Sequence, residues 1–190
     1  MLNIVLFGPP GAGKGTQANF LKQSHNLIHI STGDVFRKNI KSRTKLGNLA
    51  KSFIDKGLLV PDQVTTDMLN DEVLKNSNCN GFIFDGFPRN VFQAEALKTI
   101  LFNQGSTVDA MIALEVSDEV LVKRLLNRGK TSGRADDSSE EIVRNRIKVY
   151  YSETAILKKY YDKQGKYYGI NGVGTIDDIT KRLNSVVNKL

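Results

Sequence analysis

The amino-acid sequence predicts an α/β fold, a three-layer sandwich in which helices cover both faces of a five-stranded parallel sheet. Short apolar runs alternate with longer segments of helical periodicity along the whole chain. Because a parallel strand pair needs a helix-length return path, this alternation favours right-handed crossovers and a parallel sheet. The chain has 190 residues, 40% hydrophobic and 25% charged, which is typical of one soluble domain with a buried core.

Short apolar runs mark the predicted strands. Each run is too brief for a buried helix, and its almost continuous apolar character is typical of strands that are covered on both faces. The five runs cover residues 2–7, 27–30, 81–84, 110–116 and 167–170.

Helical periodicity fills the intervals between these runs. Leu46, Leu49 and Phe53 recur at helical spacing. Gly57 follows them as a stop signal, and Pro61 and Asp62 open the next periodic segment as a start signal. Further helices are predicted over residues 91–102, 118–127, 140–163 and 176–189.

Two inserts interrupt the alternation. Residues 32–61 hold two or three helices between two strands, and residues 129–137 form a polar, glycine-containing break between two helices. In open parallel sheets, ligands bind at the carboxyl ends of the strands, where such segments lie. Both inserts are therefore candidate moving parts of a binding site.

The charge balance indicates an anionic partner. Lys and Arg total 27 against 20 Asp and Glu, which gives a formal net charge of +7. Charge alone does not choose between nucleic acid, a membrane surface and phosphorylated metabolites. A nucleic-acid-binding protein tends to carry a basic run with interleaved aromatic residues, whereas here the basic residues are scattered through periodic segments. We therefore expect no nucleic-acid partner.

Other features of the chain predict a cytoplasmic protein. The apolar runs are far shorter than the ~18 residues that would span a bilayer, so we expect no membrane segment. The first ten residues lack the basic stretch of a secretory signal. Cys79 is the single cysteine, which excludes an internal disulfide. With only His25 and His29 as further soft ligands, we expect no zinc site.

The clearest motif follows the first predicted strand. Residues 8–16 read GPPGAGKGT and lead into a helical segment. Glycines let backbone N–H groups turn inward around a phosphate, the helix start adds a positive dipole, and Lys14 supplies an ammonium for the outer phosphates. This spacing is that of the P-loop, except that Gly15 stands where the motif has Ser or Thr, and Thr16 comes one residue later. The motif therefore does not identify the hydroxyl that would contact a magnesium ion.

An acidic residue follows the third predicted strand. Residues 82–89 read FIFDGFPR, which places Asp85 at the carboxyl end of an apolar run. Mg²⁺ keeps several of its waters in proteins, and a carboxylate can hold those waters rather than the ion. Asp85 is therefore the candidate for organising Mg²⁺, through water in the second coordination layer.

Arginines recur beside the predicted loops. A guanidinium group grips phosphate oxygens with two donors and stacks on a flat base, so it suits both parts of a nucleotide. Any one of these arginines could instead lie on a solvated helix face. Taken together they predict one phosphate site, formed by Arg37, Arg89, Arg124, Arg128, Arg134 and Arg146.

Four runs carry a resemblance to a known family. GPPGAGKGTQ, ISTGDVFR, GFIFDGFPRNVFQ and GRADDSSEEIVRNR, in this order and separation, closely resemble the adenylate kinases over essentially the whole chain. The resemblance implies a P-loop fold and reversible, Mg²⁺-dependent conversion of ATP and AMP into two ADP, which maintains the adenine nucleotide balance. It implies a monomer with one P-loop kinase unit over residues 1–190. Within that unit it implies a core of residues 1–31, 61–128 and 138–190, a helical NMP-binding insert of 32–60 and a short lid of 129–137.

The resemblance also implies roles for individual residues. The positions that match ATP contacts are Gly11, Ala12, Gly13, Lys14, Gly15, Thr16, Arg124, Arg128 and Gly174. The positions that match AMP contacts are Thr32, Arg37, Leu58, Leu59, Val60, Gly86, Phe87, Pro88, Arg89, Gln93, Arg134 and Arg146. The positions that match catalytic side chains are Lys14, Arg89, Arg124, Arg128, Arg134 and Arg146. Among them, Arg124 would lie against the ATP adenine, and Arg128 would reach the ATP phosphates.

Two departures from the family pattern affect the lid. One extra residue precedes the last lid arginine, so Arg144 competes with Arg146; the residues that follow favour Arg146. The interval between Arg128 and Arg134 is short, which resembles the short-lid type without a zinc-binding flap. The resemblance therefore implies no zinc.

The choice of base depends on two further positions. Related pyrimidine nucleoside-monophosphate (UMP/CMP) kinases share the phosphate loop and the DGFPR turn, so they are the alternative function. Gln93 has an amide that can donate to and accept from an adenine edge, and Thr32 adds a hydroxyl. The pyrimidine kinases tend to carry other residues at these places, so the pair favours AMP. A basic nucleic-acid-binding module is the alternative from another class.

Overall fold

A computed structural model describes residues 1–190 and contains one parallel sheet. The strands are β1 (Leu2–Phe7), β2 (Ile28–Ser31), β3 (Gly81–Asp85), β4 (Ala110–Glu115) and β5 (Tyr167–Asn171). They lie in the order β2-β3-β1-β4-β5, and all four neighbouring pairs are parallel. The predicted α/β class with five parallel strands is confirmed.

Nine α-helices connect and extend these strands. None of them is long and apolar enough to cross a membrane. They are α1 (Lys14–His25), α2 (Thr32–Lys41), α3 (Lys45–Ile54), α4 (Asp62–Lys75), α5 (Val91–Phe102), α6 (Asp118–Ser132), α7 (Glu140–Val149), α8 (Ile156–Asp162) and α9 (Ile176–Val187).

The core has two halves, one on each face of the sheet. Because side chains alternate along a strand, Ile4 and Leu6 of β1 pack in one half and Val5 and Phe7 in the other. Helices α1, α6, α7 and α9 contribute to the first half, and α4, α5 and α8 to the second. The result is the three-layer arrangement that the sequence predicts.

The last strand is not buried as predicted. β5 lies at the edge of the sheet and pairs only with β4. Tyr168, Gly169 and Asn171 are exposed. An apolar run of aromatic residues can lie at an edge because tyrosine places its ring on the protein and its hydroxyl in water; Tyr167 donates its hydroxyl to Glu115.

Two helix boundaries also differ from prediction. α6 continues to Ser132 instead of ending before Gly129, because Gly129 takes a helical conformation and lies against another backbone. The predicted helix over 140–163 is interrupted by a π-helical turn at Tyr150–Thr154, since one extra residue enters the ladder. The polar break before α7 is thus reduced to Gly133, Arg134 and a 3₁₀ turn at Ala135–Asp137.

The helical insert has a small core of its own. Phe36 of α2 and Ala50 of α3 are buried together with Val60 and with Met68 of α4. This cluster is separate from the two halves beside the sheet. α2 and α3 are therefore packed as a pair that is attached to the main body through α4.

Candidate active site

The loop between β1 and α1 requires glycine where it leaves the strand. Gly8 has a φ angle of 133°, which residues with a side chain rarely adopt. A Cβ at this position would lie 2.7 Å from the carbonyl oxygen of Leu114. Gly13 precedes α1, and no side chain caps the first turn of that helix. The free N–H groups of the turn therefore form an anion site.

Lys14 is held by this loop. Its Nζ donates hydrogen bonds to the carbonyl oxygens of Gly8, at 2.7 Å, and of Pro9, at 3.0 Å. Burial lowers the pKa of Lys14 to about 8, with the positive charge of Arg89 acting in the same direction and Asp85 opposing both. An anion in the loop would stabilise the charged form of this lysine.

Asp85 is a nearly buried carboxylate beside the loop. Its Oδ2 lies 3.6 Å from the Nε2 of His29 on β2, an atom that makes no hydrogen bond. Burial alone would raise the pKa of Asp85, but His29 and Lys14 outweigh burial and hold this pKa below its ordinary value. A Cβ at Gly15 would lie 3.6 Å from the same Oδ2. An ionised carboxylate therefore faces the first turn of α1.

Two cavities open at the carboxyl ends of the strands, and they adjoin. The first lies between the helical insert and the turn after β3, and the second lies along the glycine-rich loop. Both are lined by the same four cations, Lys14, Arg37, Arg89 and Arg146. Positive charge is thus concentrated where the two cavities meet, which favours anionic groups at that point.

Apart from Gly86 and the four shared cations, the two predicted sets of contacts lie in different cavities. Arg134, which the sequence places among the AMP contacts, lines the second cavity and not the first. The first cavity gathers Thr32, Arg37, Leu58, Leu59, Val60, Gly86, Phe87, Pro88, Arg89, Gln93 and Arg146. The second gathers Gly11, Ala12, Gly13, Lys14, Gly15, Thr16, Arg124, Arg128 and Gly174, together with Asp85.

Two polar side chains of the first cavity, Thr32 and Gln93, form hydrogen bonds within the protein. Thr32 donates its hydroxyl to the carbonyl oxygen of Gly86 at 3.0 Å, so its oxygen is left to accept. Gln93 is buried, and its Oε1 accepts from the N–H of Arg89 at 2.8 Å. Its Nε2 donates to Oδ1 of Asp62 at 2.7 Å. The sequence predicts Asp62 only as part of the start of α4 and gives no sign that it contacts Gln93.

Asp137 holds two of the predicted arginines together. Its fully buried carboxylate accepts from Arg128 Nε at 2.6 Å and from Arg128 Nη2 at 3.1 Å, and it also pairs with Arg146. Burial would raise the pKa of Asp137, but the two guanidinium groups hold it below its ordinary value. Asp137 was not among the predicted site residues; the signal was the DD pair that follows Arg134 and Ala135.

The structure separates Arg144 from Arg146. Arg144 is 64% exposed and pairs with Glu140 on its own helix. Arg146 is 18% exposed and donates to Asp136 and Asp137 at the junction of the cavities. Side chains two positions apart on an α-helix point about 200° apart around the helix axis. Only one of these two arginines can therefore face the cavities.

Asp34 links the insert to the segment after α6. Its Oδ1 accepts from Arg37 at 2.5 Å and lies 3.8 Å from Arg134. Burial lowers the pKa of Arg134, and the nearby charge of Arg37 adds to this effect. Arg37 and Arg134 therefore lie as like charges on either side of one carboxylate, at the rim of the second cavity.

Two further predicted contacts lie at the far end of the second cavity. Arg124 donates to the carbonyl oxygen of Gly172 at 3.3 Å. Gly174 follows in the same loop, after β5. Arg182 donates to the carbonyl oxygens of Asn171 and Val173, at 2.8 and 2.7 Å, and so holds this loop in place.

A phosphate loop after the central strand of a parallel sheet, opening onto a cation-lined junction, defines the P-loop phosphotransferases. Comparison with known proteins gives the family. A family model described as adenylate kinase matches residues 6–166. The adenylate kinase of Flavobacterium psychrophilum is 60% identical over 190 residues, and that of Flavobacterium johnsoniae 59%, with all of each chain covered. The adenylate kinase of Parabacteroides distasonis is 48% identical over the same length.

This chain belongs to the adenylate kinase family. The match spans both inserts as well as the core, and it favours the adenylate kinase interpretation over the pyrimidine nucleoside-monophosphate kinase alternative. The predicted family and the predicted enzyme class, a phosphotransferase, are confirmed.

Proposed function

We propose that this chain catalyses reversible, Mg²⁺-dependent transfer of the terminal phosphoryl group of ATP to AMP, giving two ADP. The observation that carries this proposal is the shared wall of the two cavities. Lys14, Arg37, Arg89 and Arg146 line both of them. Two nucleotides with their bases at opposite ends would bring their phosphates together at these four cations, which is the arrangement that in-line transfer requires.

In this proposal AMP occupies the first cavity. Its base lies against the apolar side chains of Leu58, Leu59 and Val60, with Gln93 at the base edge, and its phosphate meets Arg37 and Arg89. Arg89 is preorganised for this role because its Nε donates to the carbonyl oxygen of Gly86 at 2.7 Å. Burial and the neighbouring Arg146 lower the pKa of Arg89 to about 10, so an anion beside it is favoured. The remaining members of the proposed AMP site are Thr32, Gly86, Phe87, Pro88 and Arg146, and Arg134 would reach the AMP phosphate from the second cavity.

ATP occupies the second cavity. Its phosphates lie in the loop of Gly11–Thr16, where the free N–H groups of α1 face them. Arg124 and Gly174 lie beside the adenine end, and Arg128 reaches the phosphates. Because Lys14 is bonded to Gly8 and Pro9 in this structure, it exchanges these carbonyl oxygens for phosphate oxygens when ATP binds.

The reaction needs no nucleophilic side chain. An oxygen of the AMP phosphate attacks the γ-phosphorus of ATP, the bond from that phosphorus to the β,γ-bridging oxygen breaks, and ADP leaves. Lys14, Arg89, Arg128, Arg134 and Arg146 spread the developing charge, while Arg124 holds the adenine end, and closure of the site keeps out water that would hydrolyse ATP. Asp34 of the helical insert already lies 3.8 Å from Arg134 of the proposed lid, so closing both inserts over the phosphates needs only a local change in pairing.

The residues beside the loop fit a magnesium ion bound with ATP. No group of three or more His, Cys, Asp or Glu side chains comes together in the chain, so the protein offers no closed cage of its own. Mg²⁺ prefers phosphate and water oxygens with one or two carboxylates. Asp85, ionised and facing the loop, would hold the ion through its water, with Thr16 nearby on α1. When bound, the ion neutralises charge on the phosphates.

We also propose the following organisation. Residues 32–60 form the NMP-binding insert, supported by the separate cluster of α2 and α3. Residues 129–137 form a short lid whose first turn is the end of α6. Residues 1–31, 61–128 and 138–190 form the core. Both cavities are complete within one chain, which supports a working monomer, and a single cysteine without a disulfide partner suits the reducing cytoplasm.

The proposal is tested by following ADP formation from ATP and AMP in the presence of Mg²⁺. We expect rapid turnover with AMP and much slower turnover with UMP or CMP as acceptor. A compound that joins two adenosines through five phosphates should fill both cavities and inhibit competitively against each substrate. Tight duplex nucleic-acid binding without ADP formation, or a preference for a pyrimidine acceptor, would overturn the assignment.

A further inference from the structure

Asp62 lies behind the first cavity and contacts the amide proposed to meet the AMP base. It is the first residue of α4, is half-buried and does not line either cavity. Its Oδ1 accepts from Gln93 Nε2 at 2.7 Å and from Asn90 Nδ2 at 2.9 Å. Its Oδ2 accepts from the same Asn90 nitrogen at 3.0 Å. One carboxylate thus joins the start of α4 to the first turn of α5.

The opposite end of the Gln93 amide is held as well. Its Oε1 accepts from the backbone N–H of Arg89 at 2.8 Å, and Asn90 caps the helix by accepting from the Gln93 N–H at 2.9 Å. Turning the amide by 180° would place its NH₂ against the N–H of Arg89 and its oxygen against the carboxylate of Asp62. Two hydrogen bonds, one of them charge-assisted, would become two repulsive contacts. The amide is therefore held in a single orientation.

One donor and one acceptor of Gln93 remain for a ligand. An amide carries two N–H donors and an oxygen with two lone pairs, and each group has one partner here. Adenine offers N1 as an acceptor next to its 6-amino donor, which complements these two positions. A 6-oxo purine offers the reverse, an N1–H donor next to an oxygen acceptor. An amide free to turn would serve both bases, whereas a fixed amide serves one.

We propose that Asp62 is a positioning residue that fixes the Gln93 amide and thereby makes the acceptor site reject 6-oxo purine nucleotides in favour of AMP. The inference rests on the proposed placement of the AMP base against Gln93. The fixed amide also distinguishes the two pyrimidine bases. Cytosine presents the same order of donor and acceptor as adenine, and uracil presents the reverse order. Hence the fixed amide excludes UMP, and the size and shape of the cavity must exclude CMP.

The chain contains a matched control. Asp67 lies on the same helix and accepts from the side-chain Nε2 of Gln63 at 2.7 Å, as Asp62 does from Gln93. It is exposed and lines neither cavity. Asp67→Asn therefore removes an equal charge and an equal type of hydrogen bond without touching Gln93.

The test compares kcat/KM for AMP with kcat/KM for IMP, a 6-oxo purine nucleotide, with ATP as donor. In Asp62→Asn and Asp62→Ala we expect the AMP-to-IMP ratio to fall about tenfold, which corresponds to ~1.4 kcal/mol. The ratio should stay unchanged in Asp67→Asn. A purely structural defect would lower both rates together and leave the ratio alone, so the ratio distinguishes positioning from loss of folded protein.

Gln93→Leu separates failure of this inference from failure of the proposed site. If Gln93→Leu lowers the ratio but both Asp62 variants keep that of the unchanged protein, the positioning role of Asp62 is overturned and the assignment of Gln93 stands. If Gln93→Leu also keeps the ratio, the base is not read at Gln93 and both are overturned. A fall in the ratio in Gln93→Leu and in both Asp62 variants, without a fall in Asp67→Asn, supports the proposal.

Discussion

The guanidinium of Arg128 and the carboxylate of Asp137 form a two-pronged ion pair, with N–O distances of 2.6 and 3.1 Å and the carboxylate fully buried. Arg146 binds the same carboxylate from α7. One buried acid of the proposed lid thus fixes the spacing of two core cations, one on the helix before the lid and one on the helix after it. This spacing sets where the phosphates of a bound nucleotide can lie.

We expect Asp137→Asn to lower the free energy of unfolding at pH 7 by about 1–3 kcal/mol, because the neutral amide bonds two guanidinium groups less well. The pKa of Asp137 is lower in the folded than in the unfolded state. Its contribution is therefore complete above the unfolded pKa, about 3.9, and is lost as the pH falls through the folded pKa. Urea unfolding between pH 7 and pH 3 should show the difference between variant and unchanged protein shrinking with acid.

Glu140→Gln is the control for this prediction, because Glu140 pairs with Arg144 on the exposed face of α7. Exposed pairs contribute about 0–1 kcal/mol, so little change is expected. Parallel pH profiles for Asp137→Asn and the unchanged protein would contradict the role given to Asp137.

Lys14→Met should reduce kcat by about 10²–10³, since one charged donor to the transferring group is lost while most of the unbranched stem is kept. The melting temperature should change little, as Lys14 bonds only to two carbonyl oxygens of its own loop. Steady-state assays and thermal unfolding measure both effects. Lys22→Met, on the exposed side of the same helix, is the control; a near-normal kcat in Lys14→Met would refute the role of this lysine.

Arg146→Lys and Arg144→Lys test which lid arginine acts on the phosphates. Lysine cannot reproduce the forked geometry with which Arg146 reaches Asp136, Asp137 and the junction of the cavities, so we expect kcat to fall by about 10². Arg144 is mostly exposed, and its substitution should change kcat by less than about twofold. The reverse order of effects would show that the chosen arginine is wrong.

Gly129→Ala should destabilise the protein although alanine favours helices by about 1 kcal/mol over glycine. The new Cβ would lie 2.3 Å from the carbonyl oxygen of Asp137, so the turn that carries Asp137 must move. We expect a loss of about 1–3 kcal/mol in the free energy of unfolding and a lower kcat. Lys130 is one residue later and exposed, so Lys130→Ala should leave the free energy of unfolding unchanged. An increase in stability in Gly129→Ala would show that α6 and the 3₁₀ turn at Ala135–Asp137 do not touch.

Local patterns predicted the regular parts of the molecule closely. β1 and α5 have the predicted limits, because a continuous apolar run and a clear helical period are properties of neighbouring residues. The phosphate loop was predictable for the same reason, since its glycines and lysine are contiguous. Gly129 misled the prediction because its neighbours do not show that it packs on the backbone of Asp137.

The candidate site also has a part that the sequence predicts and a part that it does not. The resemblance placed its phosphate-facing residues, whereas the residues that hold them, Asp34, Asp62, Asp137 and His29, were not found. Each of these is a single polar residue with no distinctive neighbours, and its role appears only when a distant segment brings a partner to it. Asp62 and Gln93, for example, are separated by 31 positions and meet through Nε2 and Oδ1.

Local sequence patterns are enough to give the α/β class, the phosphate loop and the family, because periodicity and contiguous motifs depend on few neighbours. The folded chain is needed to see that β5 lies at an edge, that Arg146 and not Arg144 faces the cavities, and that two cavities share one cationic wall. These depend on which faces of the helices are buried and on contacts between segments far apart in the chain. Packing of the whole molecule sets them.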